Sequence, residues 1–252
     1  GATYGVPPFT LAQSWEEVTA APAFTGLLNE TYGSGAEAAY STRRLNGNVT
    51  DCMVIRRASD STTTTIGFDG SGNISEADII SFCTGTTCTV YQWLDQSGNG
   101  NTATAAAPAN EPTIYTGGAL VKESGKLALD FDGTGHYLEA PDSSTLSFTD
   151  GAGTDTYISA FATFKLDSAA TNSRVLFSKD DGSPNREYAW GYFGFQSEAR
   201  FFLKNQGGND QISQDATTPT QLNLYQVGAM LYDASETAAG ITMHINGVAS
   251  TM

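Results

Sequence analysis

From residue 49 onward, apolar and polar positions alternate with period two in short runs separated by Gly, Asn and Asp. The runs DCMVIRRA, TVYQWLDQ, KLALDFDG, TYISAFATFKL, SRVLFSK, EYAWGYFGF, ARFFLKN, LYQVGAMLY and ITMHINGV predict strands, because alternation gives each one an apolar and a polar face. Residues 9 to 47 are patterned differently. LAQSWEEVTAAPAFTGLLNETYG and GAEAAYSTRRLNG carry helical spacing that Pro22 interrupts, which predicts short helices wrapped around another body. No regular strand-helix alternation is present, so a doubly wound parallel sheet is excluded, and no repeat of fixed period occurs. The fold expected is an all-β jelly-roll sandwich with short N-terminal helices. Residues 1–48 are an elaboration packed on a sandwich of residues 49–252, one domain overall. The Asn-Gly in ITMHINGVASTM would turn a hairpin close to Met252, so the returning strand is expected to be missing or to come from a partner.

Composition narrows the partners. Among 252 residues, 12 Lys and Arg stand against 27 Asp and Glu, a net charge of -15 that opposes contact with phosphate backbones and anionic membranes. No stretch approaches the roughly 18 uninterrupted apolar residues of a membrane span, so neither nucleic acid nor membrane insertion is expected. The chain opens on Gly1 rather than on Met and a leader, which reads as a mature or trimmed product. Cys83 and Cys88 lie five apart in FCTGTTC, a spacing that a small Gly-containing loop can close into a disulfide; the alternative is three reduced, buried thiols, Cys52 included. A disulfide would place the chain in an oxidising compartment, either extracellular or on a virion surface.

Candidate chemistry is sparse. His136 and His244 are the sole histidines and lie far apart, which leaves a Ser-His-Asp arrangement little to draw on. GSGNIS lacks the Lys of a phosphate loop. GFDGSGNISEAD, residues 67–78, half matches a calcium loop, with Asp69, Ser71, Gly72, Ile74 and Asp78 at suitable positions but Gly67 where the first acidic ligand belongs. A turn followed by a helix capped by Ser75 is the preferred reading, so no metal ligand is assigned, and calcium elsewhere stays open. Sugar recognition needs aromatic faces beside planar polar groups. Alternation in YAWGYFGFQ puts Tyr188, Trp190, Tyr192 and Gln196 on one face, which could line a concave groove; the alternative is burial of both faces between sheets. The turn WLDQSGNGN could bring Asp95, Gln96 and Asn99 to that groove, or use them to hold the loop by Asx-type hydrogen bonds.

Two resemblances follow from these segments. KLALDFDGTGHYLEAP and the strands after it resemble the laminin-G-like or concanavalin A-like lectin and glucanase superfamily. Residues 38–107, including AAYSTRRL, RRASDSTTTTIGF and FCTGTTCTVYQWLDQSGNGNTATAAAP, resemble the catalytic domain of fungal-type α-L-arabinofuranosidase B. That second resemblance implies a Cys83–Cys88 disulfide. Similar sequences occur in phage structural and tail proteins. The arabinofuranosidase nucleophile lies a few residues beyond a strand Trp, which falls near Gln196 or Ser197 here; Glu198 is reached only by a register slip that would turn its side chain to the other face. The family's general acid has no counterpart before Met252. A retaining glycosidase requires two carboxyl groups about 5 Å apart. The expectation is therefore a glycan-binding or adhesion module of an extracellular or virion surface assembly, not an enzyme, with a polysaccharide or surface glycan as partner and protein partners in a larger assembly. The alternatives are an arabinofuranosidase-like glycoside hydrolase and a structural capsid-decoration or fibre domain without sugar affinity.

Overall fold

The structure is a computed structural model that describes residue 28 and residues 35–148, 156–167, 173–179, 187–193, 198–204, 211–216, 221–235 and 237–249. The chain is all-β. A first sheet is built from β1 (Asp51–Arg57), β2 (Thr63–Gly67), β3 (Cys88–Trp93), β4 (Ala103–Thr104), β5 (Thr113–Thr116) and β6 (Ala119–Leu120), in the order β2-β1-β3-β5-β6 with β4 also on β3. A hairpin of β7 (Lys122–Glu123) and β8 (Lys126–Leu127) follows. Two four-stranded sheets complete the chain. One contains β10 (Arg174–Lys179), β11 (Tyr188–Tyr192), β12 (Arg200–Lys204) and β13 (Gln211–Asp215) in that order. The other runs β16-β15-β14-β9, from Val248–Ala249, Ile241–Ile245, Gln226–Tyr232 and Ile158–Phe164.

Among the described residues these sheets enclose two apolar cores. Alternating inward residues of β9, β11, β12, β14 and β15 meet in a sandwich interior that includes Ile158, Trp190, Phe201, Met230, Met243 and Ile245. A separate cluster joins Cys52, Met53 and Ile55 of β1 to Ile66, Val90, Ile114 and the helix α1 (Glu76–Cys83). Among the described residues, β1 to β6 share no sheet with β9 to β16 and bury an apolar face under α1, so their cluster is separate from that of the sandwich. A register shift between Asp51 and Met53 lets the adjacent Cys52 and Met53 both be buried, which strict alternation forbids. Ser75 caps α1 by accepting a hydrogen bond from Asp78 N (3.4 Å), and Ile79 and Cys83 face the core.

Cys83 ends α1 and Cys88 opens β3, and the two form a disulfide with Cα atoms 5.8 Å apart. Reduction is expected to lower stability by about 2 kcal/mol, the loop-closure entropy of so short a ring, read as a drop in the urea midpoint on adding dithiothreitol; an unchanged midpoint would show that the helix-strand corner holds without it. Cys52 stays a buried free thiol whose pKa is pushed up by burial, so it contributes packing rather than reactivity.

Three further expectations change. Residues 35–47 contain no helix; they form an extended strap whose backbone groups are taken by the 93–101 loop. The first helical pattern, residues 11–33, lies outside the described residues except for Leu28. KLALDFDG yields only the two-residue β8, since Asp130 then makes an isolated bridge to Thr113 instead of continuing a strand. The returning strand after Asn-Gly is present: Asn246 and Gly247 take φ of 52° and 80°, the left-handed pair a tight hairpin needs, and β16 pairs back on β15.

Candidate functional site

The hairpin of β11 and β12 pairs Tyr188 with Leu203, Trp190 with Phe201 and Gly191 with Arg200. That register sends Tyr188, Trp190 and Tyr192 into the sandwich with Phe201 and Leu203. Trp190 has no exposed surface, and its ring meets Phe177 edge-on at 5.6 Å. It fits because β14 carries Gly228 opposite: a Cβ there would stand 2.7 Å from the indole. The three aromatics therefore line no groove, and every residue of β11 is buried. Gln196 lies outside the described residues.

Asp95 and Asn99 serve the loop and the strap. Asp95 accepts hydrogen bonds from Ala39 N, Ser97 N and Asn101 N, each at 2.9 Å, and from Ser97 Oγ at 2.6 Å. Asn99 donates to the carbonyls of Ala36 and Glu37 at 3.0 and 3.1 Å. Between them Gln96, fully buried, accepts from Leu45 N (2.7 Å) and donates to the carbonyls of Ser41 (2.9 Å) and Arg43 (3.2 Å). With their polar atoms so engaged, these side chains position residues 36–45 and are not offered to a ligand. In the 67–78 loop, Asp69 Oδ1 accepts from Ser71 N and Asn73 N, both at 2.9 Å, as a turn requires. Among the described residues no group of three or more His, Cys, Asp or Glu could hold a metal.

Glu198 and Glu187 lie at the two ends of the hairpin. Glu198 is half-buried at the bend before β12, two residues ahead of Arg200, whose guanidinium holds Asp215 at 2.5 and 2.9 Å. Glu187, at the opposite end, is buried; its Oε1 lies 3.2 Å from Lys179 Nζ and accepts from Ser147 Oγ at 3.1 Å, while its Oε2 finds no partner among the described residues. The same ammonium lies 2.9 Å from Asp142. The hydrogen bond and charge of Lys179 hold Asp142 below the usual carboxylate range, the reverse of what a general acid needs. Burial disfavours the charge on Lys179, but its carboxylate bonds more than offset this and raise its pKa. Burial, then the Glu187 charge, raises that of Tyr188. About six strand positions separate Glu187 from Glu198, roughly 20 Å at 3.3 Å per residue, too far for one glycosidase pair. Beside Asp142, Thr104, Ala105, Ala106, Glu139, Ala140 and Pro141 line an open cleft of about 250 Å³.

Comparison with known proteins decides between the readings. Residues 29–135 match the family model of the α-L-arabinofuranosidase B catalytic domain. The chain is 41% identical over 96 residues to α-L-arabinofuranosidase B of Emericella nidulans, covering 34% of this chain and 18% of that protein. It is 43% identical over 70 residues to the enzyme of Aspergillus kawachii, covering 27% and 14%. This chain thus spans less than a fifth of either curated relative. Among solved structures it resembles an arabinofuranosidase complexed with arabinofuranosyl-α-1,2-xylobiose, with TM-score 0.54 and 22% identity over 82% of this chain and 47% of the other. A GH54 α-L-arabinofuranosidase soaked with a cyclic sulfate inhibitor gives TM-score 0.50 and 23% identity over the same shares. At these identities the structures speak for the fold alone. The expectation of a glycan-binding or adhesion module is overturned: the sequence matches lie on an arabinofuranosidase catalytic domain, and the aromatics meant to form a binding groove are core.

Proposed function

We propose that this chain belongs to the catalytic portion of an arabinofuranosidase-like glycoside hydrolase acting on arabinofuranosyl side groups of a polysaccharide. The observation that carries this reading is the placement of the family match. Residues 29–135 include the strap, the disulfide corner and nearly all of the first core, a continuous stretch rather than a scattered motif. The likeness to solved arabinofuranosidases over 82% of the chain extends into the second core. On this reading the sandwich of residues 158–249 is of the concanavalin-like type, and residues 1–48 elaborate the first core. The disulfide suits a protein that works outside the cell.

Glu198 is the carboxylate we assign as nucleophile, since it lies at the bend that leads from the Trp190 strand into β12. The full-length protein is expected to release arabinose from a chromogenic α-L-arabinofuranoside, and Glu198→Gln to reduce kcat at least about 100-fold, the scale of a lost catalytic carboxyl group. Absence of release by the wild-type protein would overturn the reading. Full activity in Glu198→Gln would move the nucleophile elsewhere and leave the hydrolase assignment standing.

A further inference from the structure

The sheet β16-β15-β14-β9 turns one face into the sandwich and leaves the other open. On the open face the cross-strand register forms rows. Phe161, Ala229, His244 and Ala249 lie in one row, and Ser159, Leu231 and Thr242 in the next. Thr163 and Val227 form a third. Phe161 is 73% exposed and Tyr157, which precedes the same strand on the same face, 77%. Val227 and Leu231 are exposed as well. Residues of this kind belong in a core, and here they face water on a sheet whose other face is already packed.

Two properties select the occupant. Across these rows, among the described residues, no side chain is a carboxylate, lysine or arginine; charge enters only at the ends, with Lys165 and Asp233. On a chain of net charge -15, a charge-free face is matched by a neutral partner and not by a basic one. The rings and hydroxyls matter too. Phe161 and Tyr157, four residues apart on one line of the sheet, expose their rings, and the hydroxyls of Ser159, Thr163 and Thr242 lie in the adjoining rows. Flat apolar rings beside hydroxyl groups suit the alternating C–H faces and hydroxyl edges of sugar rings.

We propose that this face docks the uncharged main chain of the polysaccharide whose side groups the enzyme removes, holding polymeric substrate by stacking on Phe161 and Tyr157. The inference rests on the hydrolase reading, and its test separates the two. The full-length protein is run in native gels containing soluble arabinoxylan, and its kcat/KM is measured on the polymer and on a small chromogenic arabinofuranoside. Wild type is expected to be retarded. Phe161→Ala and Tyr157→Ala should each abolish most of the retardation and lower kcat/KM on the polymer about tenfold, with the small substrate unaffected. Unretarded wild type would overturn the docking proposal while activity on the small substrate kept the hydrolase reading intact. Retardation that persists in both variants would overturn it, as would a dimer, seen by sedimentation, that Phe161→Ala dissociates, since the face would then belong to a second copy.

Discussion

Trp190→Ala is expected to destabilise the sandwich by about 3–5 kcal/mol, the cost of removing a large aromatic from a packed interior. Trp190 is fully buried, lies across the strand pair from Phe201, meets Phe177 edge-on and fills the slot that Gly228 leaves on β14. Truncation empties that slot, and Gly228 has no side chain to move into it. At roughly 2–4 °C per kcal/mol for a chain of this size, the melting temperature followed by circular dichroism should fall by about 6 to 20 °C. An aromatic residue in an open sugar groove behaves otherwise, since its truncation lowers affinity and leaves melting nearly unchanged. Gly228→Ala supplies the converse, because a methyl group 2.7 Å from the indole forces overpacking of about 1–3 kcal/mol. A wild-type melting temperature in Trp190→Ala would return the residue to the surface.

Gln96→Leu should rival that effect in the other core. The substitution nearly conserves volume at the fully buried Gln96, yet it removes the side-chain acceptor of Leu45 N and the amide donor to the carbonyls of Ser41 and Arg43, of which Ser41 keeps the Cys52 thiol at 3.2 Å. Unsatisfied buried polar groups cost about 1–3 kcal/mol each, so a loss of about 3 kcal/mol or more is expected. The strap should detach before the core melts, which limited proteolysis would report as early cleavage within residues 35–47. Asn99→Ala, at an exposed position whose amide reaches two carbonyls that water can also serve, should cost less than about 1 kcal/mol. Equal protease resistance in Gln96→Leu and wild type would mean that the strap is held by other contacts.

How far the fold can be read without coordinates depends on side-chain character. β1, β3, β9, β10, β11, β12, β14 and β15 coincide with runs of alternating apolar residues, and the turn at Asn246-Gly247 is legible because few other pairs adopt two left-handed conformations. β2 and β13, TTTIG and QISQD, escape notice because Thr and Gln fill positions that pairing, not burial, makes extended. The strap of residues 35–47 misleads in the opposite way: its Ala and Glu favour a helix locally, while Gln96 and Asp95, more than fifty residues along the chain, take the backbone hydrogen bonds a helix would have used.

The candidate site divides along the same line. Alternation groups Tyr188, Trp190 and Tyr192 on one face of a strand, but period two is symmetric between the faces of a sheet. Only the packing of β14 and β15 over that face makes it interior. The resemblance of residues 38–107 to arabinofuranosidase B is carried by local sequence and stands in the family match. Alternation, turn chemistry and motif are properties of neighbouring residues, so the all-β class, the positions of most strands and the arabinofuranosidase B resemblance of the first core are legible without coordinates. That the described residues pack into two apolar clusters, that the aromatic strand is buried and that Phe161 faces water came only from the packing of distant segments. Those outcomes depend on which sheet covers which face, a relation between segments far apart in the chain.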